Sequence, residues 1–150
     1  MNEFKPFDDR LNGLIAALSP EARRKLAGEI AKELRKSQQQ RIKQQKAPDG
    51  TPYVARKRQP LSGKKGRIKR AMFQKLRTSR YMKGSCRNGA AVVEFTGKVT
   101  RIARIHHYGL KDRPSPQGQE IQYTQRQLLG FDQKTKNFIN ELVVKYYCLS

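Results

Sequence analysis

Between Gly50 and Val93 the chain carries 13 Lys and Arg and no Asp or Glu. A run of like charge this long resists compaction unless a partner neutralises it. The core must therefore come from the segments on either side. Thr51 to about Arg70, rich in Pro, Gly, Lys and Arg, is expected to be an exposed, mobile arm. It lies within a wider basic loop over about 51–78. The flanks are nearly balanced, with 11 basic against 7 acidic residues over 1–49 and 4 against 3 over 119–150. The net charge of +21 thus comes mostly from the middle of the chain. A surface this basic attracts polyanions: nucleic acid, an acidic protein surface or an anionic membrane.

The 150 residues suffice for one ordinary domain, and a single domain spanning 1–150 is expected. Mean hydropathy is -0.86, so the core must be modest. Cys86 and Cys148 lack zinc spacing and are expected as free thiols in a reducing compartment. The first residues, MNEFKPFDDR, contain no apolar signal core, and no apolar run approaches a membrane span. The expectation is a cytosolic product, unless it leaves the cell within a larger particle, with no membrane partner.

Apolar spacing places a helix over Phe7–Leu18, with Leu11, Leu14, Ile15 and Leu18 on one face. Ser19 is suited to cap a second helix, Pro20 to occupy its first position, and Glu21 to complement its dipole. Leu26, Ile30 and Leu34 recur at four-residue spacing. With no breaker before Pro48, this long N-terminal helix is expected to reach about Gln45. Its polar end, SQQQRIKQQK, reads as an extension standing clear of the core. APDGTPY then forms a turn: Pro48 presets φ, Asp49 bonds nearby backbone and Gly50 takes positive φ, leaving Tyr53 as an anchor.

Ile68–Leu76 reads as a short helix with Ala71, Met72 and Leu76 inward. Ser79–Cys86 and Ala90–Thr96 read as strands around the turn Arg87-Asn88-Gly89. Val93 and Phe95 should face one way, Val92 and Glu94 the other. Lys98–His107 is expected as a helix with Val99, Ile102 and either Ala103 or Ile105–His106 inward, stopped by Gly109. A third strand is expected over Glu120–Tyr123. Asp132 should cap a final helix whose Phe138, Ile139, Leu142, Val143 and Tyr146 lie on the sheet. The fold class is α+β: a small antiparallel sheet with flanking helices and an extended basic arm.

Sites for chemistry are sparse. His106 and His107, the only histidines, are adjacent, so on a helix they point about 100° apart and cannot chelate one metal as an i, i+4 pair can. Asp112 and Glu120 lack ligand spacing. No nucleophile and orienting acid accompany them. One histidine is expected to pack or bond at the helix end and the other to be exposed. GSCRNGA has the two glycines of a phosphate loop but lacks the following Lys and Ser/Thr. Asp8 and Asp9 sit at a helix start, where acids serve the dipole. No catalytic residue, cofactor or metal is expected, and the chain reads as a non-enzyme. Tyr53, Phe73 and Tyr81 lie in or beside the basic block, as stacking on bases requires. A DNA- or RNA-binding protein is therefore the alternative, although no RRM, KH or zinc-finger signature is present.

Three motifs occur in order: PDGTPY (Pro48–Tyr53), IARIHHYGLKDR (Ile102–Arg113) and YTQRQLLGF (Tyr123–Phe131). With a basic stretch and a hairpin between the first two, they resemble the phage virion morphogenesis proteins, the tail-completion S family of contractile-tailed phages. The resemblance runs from roughly Leu11 to Tyr146. Tyr53 stands where the family usually has Trp. Ile105, His106 and Gly109 match its IH…G segment, and Arg126, Leu128, Leu129 and Gly130 its R-x-LLG.

The resemblance implies a structural virion subunit that finishes the tail in the neck and helps join it to the head. It implies a homo-oligomeric ring, a hexamer, assembled in the bacterial host cytoplasm. Tail tube and sheath proteins and head-completion or neck proteins would be its neighbours. Pro48, Asp49, Gly50, Tyr53, His106, Gly109, Arg126 and Gly130 would then be structural. Arg56, Lys57, Arg58, Lys64, Lys65 and Arg67 would dock on an acidic neighbour or meet genomic DNA.

Overall fold

The computed structural model describes residues 5–56, 71–88 and 90–149. Lys57, Arg58, Lys64, Lys65 and Arg67 of the basic arm lie outside the described residues. In chain order the elements are α1 (Lys5–Ala16), α2 (Pro20–Lys43), β1 (Met82–Arg87), β2 (Ala90–Phe95), a 3-10 turn (Gly97–Val99), α3 (Thr100–Tyr108), β3 (Lys111–Asp112), β4 (Ile121–Gln122) and α4 (Gln133–Leu149). The α+β class follows.

The chain forms two compact units, and α2 contributes to both. One comprises residues 1–37, 83–94 and 131–150, the other residues 38–82 and 95–130.

In the first unit, local chemistry sets the helix starts. Ser19 Oγ accepts the amide of Ala22 at 3.2 Å, and Asp132 Oδ1 accepts that of Thr135 at 2.6 Å. Leu18, Leu26 and Val143 form the buried centre, with Leu14, Ile15, Ala22, Ile30, Ile139, Leu142 and Tyr146 packed around it. The apolar stripe of α4 therefore lies on α1 and α2, not on the sheet as expected. Phe138 is half-buried outside this cluster. The hairpin meets α2 instead. A Cβ at Gly84 would stand 2.7 Å from the Ala31 carbonyl oxygen, so only glycine lets β1 come this close.

The hairpin turns at Asn88, which takes the left-handed φ of 51°. Its first strand starts at Met82 rather than Ser79. The amides of Tyr81 and Met82 bond back to the Thr78 carbonyl, making a turn there. Ala91 to Phe95 are all half-buried, so β2 has no single buried face of the expected kind. Arg87 pairs with Glu94 across the hairpin.

In the second unit the expected third strand exists but joins no larger sheet. β4 pairs antiparallel with β3, Lys111 opposite Gln122 and Asp112 opposite Ile121. Residues 71–76 form turns rather than a helix, since Phe73 takes φ 67°. Met72, Phe73 and Leu76 are nonetheless buried. On α3, Ala103 and Ile105 are buried, but Ile102, expected inward, is 50% exposed. Gly109 stops the helix at φ 66°, ψ 50°, its amide bonded to the Ile105 carbonyl.

Cys86 and Cys148 are free thiols, both exposed. Among the described residues no helix is long and apolar enough to cross a membrane. Nor does any group of three or more His, Cys, Asp and Glu among them stand in reach of one metal ion.

Candidate functional site

The three sequence motifs, more than 70 residues apart at their extremes, converge in the second unit on the C-terminal end of α2. There Gln38, Arg41 and Ile42 fall at i, i+3 and i+4, which places them on one side of the helix, and Gln45 follows in the turn just beyond its end at φ 59°. Gln38, Arg41 and Ile42 are 3%, 5% and 0% exposed. The expectation that this polar end stands clear of the core is thus overturned. Its polar groups are buried because the motifs bring partners to them.

Gln38 Oε1 accepts the Gly130 amide at 3.0 Å. The Arg41 guanidinium donates to the Leu128 carbonyl at 2.5 Å and to the Gly130 carbonyl at 3.2 Å. Gln45 completes a two-way bond with the backbone of Met72, accepting its amide at 2.7 Å and donating to its carbonyl at 2.9 Å. The Gln45 side chain also donates to the Ile42 carbonyl at 2.8 Å.

PDGTPY builds the turn that follows. Asp49 Oδ1 accepts the Thr51 amide at 2.9 Å, and the Thr51 side chain first, then this amide, hold its carboxyl below the usual carboxylate range. Gly50 has the expected positive φ, 87°. Lys46 and Pro52 form an antiparallel bridge, and the Tyr53 amide donates to the Gln45 carbonyl at 2.8 Å. The Tyr53 hydroxyl then donates to the Gln127 carbonyl at 2.8 Å. Burial pushes this phenol up to about 12, against a smaller opposing pull from Arg41. Pro48 lies against Gly130 so closely that a Cβ there would stand 2.6 Å from its Cγ.

The histidines occupy the last turn of α3. The His106 ring sits between Phe73 and Tyr123, each centroid 5.1 Å away and edge-on. Phe73 also meets Tyr53 edge-on at 5.6 Å, making a row of four rings. His107 Nδ1 accepts the amides of Leu128 at 3.1 Å and Leu129 at 3.4 Å. That acceptor role puts the neutral ring's proton on Nε2. Neither histidine is exposed as one was expected to be; both are half-buried.

Burial lowers both pKa values, helped by Arg126 and Arg56 at His106 and by Arg41 at His107. Gly109 is pinned next to Gln125, whose amide nitrogen would stand 2.9 Å from an added Cβ. Arg126 closes the junction. Its amide donates to the His106 carbonyl at 2.8 Å, and its guanidinium donates to the carbonyls of Val54 at 2.8 Å and Ala55 at 3.3 Å. Burial lowers its pKa, with Arg56 contributing.

All eight structural-motif residues, Pro48, Asp49, Gly50, Tyr53, His106, Gly109, Arg126 and Gly130, thus belong to one unit and one network. Arg56, the first charged residue of the arm, is exposed just beyond the carbonyls that Arg126 holds. Gln38, Arg41 and Gln45 were missed by sequence reasoning. The one signal was Ile42, an apolar residue in the middle of the polar run.

This arrangement positions backbone. The Nδ1 lone pair of His107 is already used by two amides, and the His106 ring packs edge-on between two aromatic rings. Both histidines must be neutral to serve. Their folded pKa values lie below the unfolded 6.5, so their contribution to stability is complete above that value and is lost as pH falls. The melting temperature should therefore drop as pH is lowered from about 7 to about 5. In His107→Asn, whose amide oxygen can accept the same bond without titrating, the drop should be shallower. Equal slopes for the two proteins, measured by differential scanning calorimetry, would remove His107 from this role.

The comparisons agree with the motif reading. A family model described as the phage virion morphogenesis family matches residues 2–147. The tail completion protein S of Escherichia phage P2 is 48% identical over 147 residues, covering 97% of this chain and 98% of that protein. No solved structure matches significantly. With its three ordered motifs folded into one junction and the family match spanning nearly its whole length, the chain belongs to the phage virion morphogenesis family.

Proposed function

We propose that the chain is a structural, non-catalytic subunit that completes a phage tail. The observation that carries this is the 48% identity to a tail completion protein, which covers 97% of this chain and 98% of that protein. The folded part suits the role. A ring subunit needs a modest core, fixed exits for extended segments and faces for neighbours, and the neighbours add stability that the core does not. The motif junction is such a fixed exit. It holds the backbone at Val54 and Ala55, where the basic segment begins.

In this reading the subunit forms a homo-oligomeric ring, a hexamer, in the neck. There it finishes the tube and sheath and helps join tail to head, having assembled in the host cytoplasm. The test is a deletion in the phage or prophage that encodes it, followed by mass spectrometry and electron microscopy of the particles. Tails are expected to form but to remain separate from heads, with complementation in trans restoring joined particles that contain the chain. Joined, infectious particles without it would overturn the proposal.

A further inference from the structure

Charge divides unevenly between the two compact units. The segments of the second unit carry 20 Lys and Arg against 3 Asp and Glu, net +17; those of the first carry 13 against 9, net +4. Of the three acids, Asp112 is already paired with Arg101.

Within the second unit, α3 presents Arg101, Arg104 and Tyr108 at i, i+3 and i+7, so they share a side of the helix. All three are exposed, Tyr108 by 60%. Tyr108 is nevertheless fixed on one edge, where His107 of the junction meets it at 4.6 Å between centroids. Exposed Lys98 precedes the helix in its 3-10 turn, and exposed Lys111 follows it in β3. A protein partner would call for an apolar centre with a polar rim, and Lys is depleted from such centres. Here the only other exposed apolar residue of α3, Ile102, lies about 100° around the helix from Arg101. Interfaces with DNA are instead polar and strongly basic, and take phosphate contacts from Arg, Lys and Tyr.

We propose that this side of α3 binds the phosphodiester backbone of DNA without reading its sequence. Among the described residues no ion pair engages Arg104 or Lys98, Arg101 shares its charge with Asp112, and Tyr108 offers its hydroxyl. The assignment goes beyond tail completion and does not depend on it, because the test uses the purified full chain alone.

The probe is a short fluorescent DNA duplex, followed by anisotropy across a NaCl series. Arg104→Ser/Tyr108→Phe should bind roughly tenfold more weakly, with a salt slope shallower by about 0.9, the loss of one neutralised phosphate. Both positions are exposed, so the melting temperature should not move. Arg24→Ser, an exposed change in the first unit that removes the same single charge, should leave affinity and slope close to wild type. The proposal is overturned if the α3 variant binds like wild type, or if the control loses as much, since net charge alone would then explain binding. It is also overturned if polyglutamate binds as tightly as the duplex with the same dependence on Arg104, which would assign the face to an acidic polypeptide.

Discussion

Arg41→Ala is expected to cost on the order of 3–5 kcal/mol of folding stability, which is the usual loss when one member of a buried charged network is removed. Arg41 is 5% exposed, and its guanidinium donates to two carbonyls, Leu128 and Gly130, on a segment about 90 residues further along the chain. Without it those carbonyls have no replacement donor on α2, and each unsatisfied buried group costs about 1–3 kcal/mol. Arg41→Lys should rescue only part of the loss, since a single ammonium cannot reproduce the planar fork. Gln38→Leu, which removes one acceptor for the Gly130 amide, should cost about 1–2 kcal/mol and serves as the scale. Urea unfolding of the three variants gives the order directly. An Arg41→Ala midpoint close to wild type would mean that the motif segment is held by its turn and rings alone.

That prediction rests on residues that periodicity could not find. Ser19, Asp132, Gly50 and Gly109 were legible because capping and turn chemistry is local: each acts on backbone within four residues. The same holds for the Asn88 turn. Gln38 and Arg41 are polar, and apolar spacing counts a polar run as solvent-facing. Their acceptors come from residues 128–130, and nothing near residue 38 encodes that. Ile42, fully buried in the middle of the run, was the one local sign.

The stripe on α4 was legible as a stripe, but not its partner. An amphipathic helix states which side is buried and is silent on whether a sheet or two helices cover it. Phe73 was read as helical because its left-handed φ has no sequence signature. One of the two histidines was placed in solvent, yet both are half-buried. The aromatic row from Tyr53 to Tyr123 is assembled across three separate motifs. For the candidate site, the motif order revealed which segments matter; only the fold shows that α2 is their common support.

The other large effect should come from the basic segment, where the fold supplies the exit and the charge supplies the contact. Residues 50–93 hold 13 Lys and Arg without an acid, so the isolated chain offers them no ion pairs within their own segment. Arg126 fixes the carbonyls of Val54 and Ala55, and Arg56 follows at once in an exposed position. The charges that come next along the chain therefore follow a backbone that Arg126 holds in place. Changing Arg56, Lys57, Arg58, Lys64 and Lys65 to Ser leaves Arg126, Tyr53 and the turn untouched, so the melting temperature should stay at the wild-type value. Joined particles should fall at least about a hundredfold, since a single lost charge-assisted contact of about 1.5–3 kcal/mol is worth roughly ten- to a hundredfold and repetition around the proposed ring would compound it. Wild-type particle yield with the variant incorporated would show that the segment is only a solvated surface. Particles that fail although the variant loads onto tails would direct the segment to the head side of the neck or to DNA, where its effect should weaken steeply with salt. Failure to load would direct it to a tail protein or a neighbouring copy of the chain.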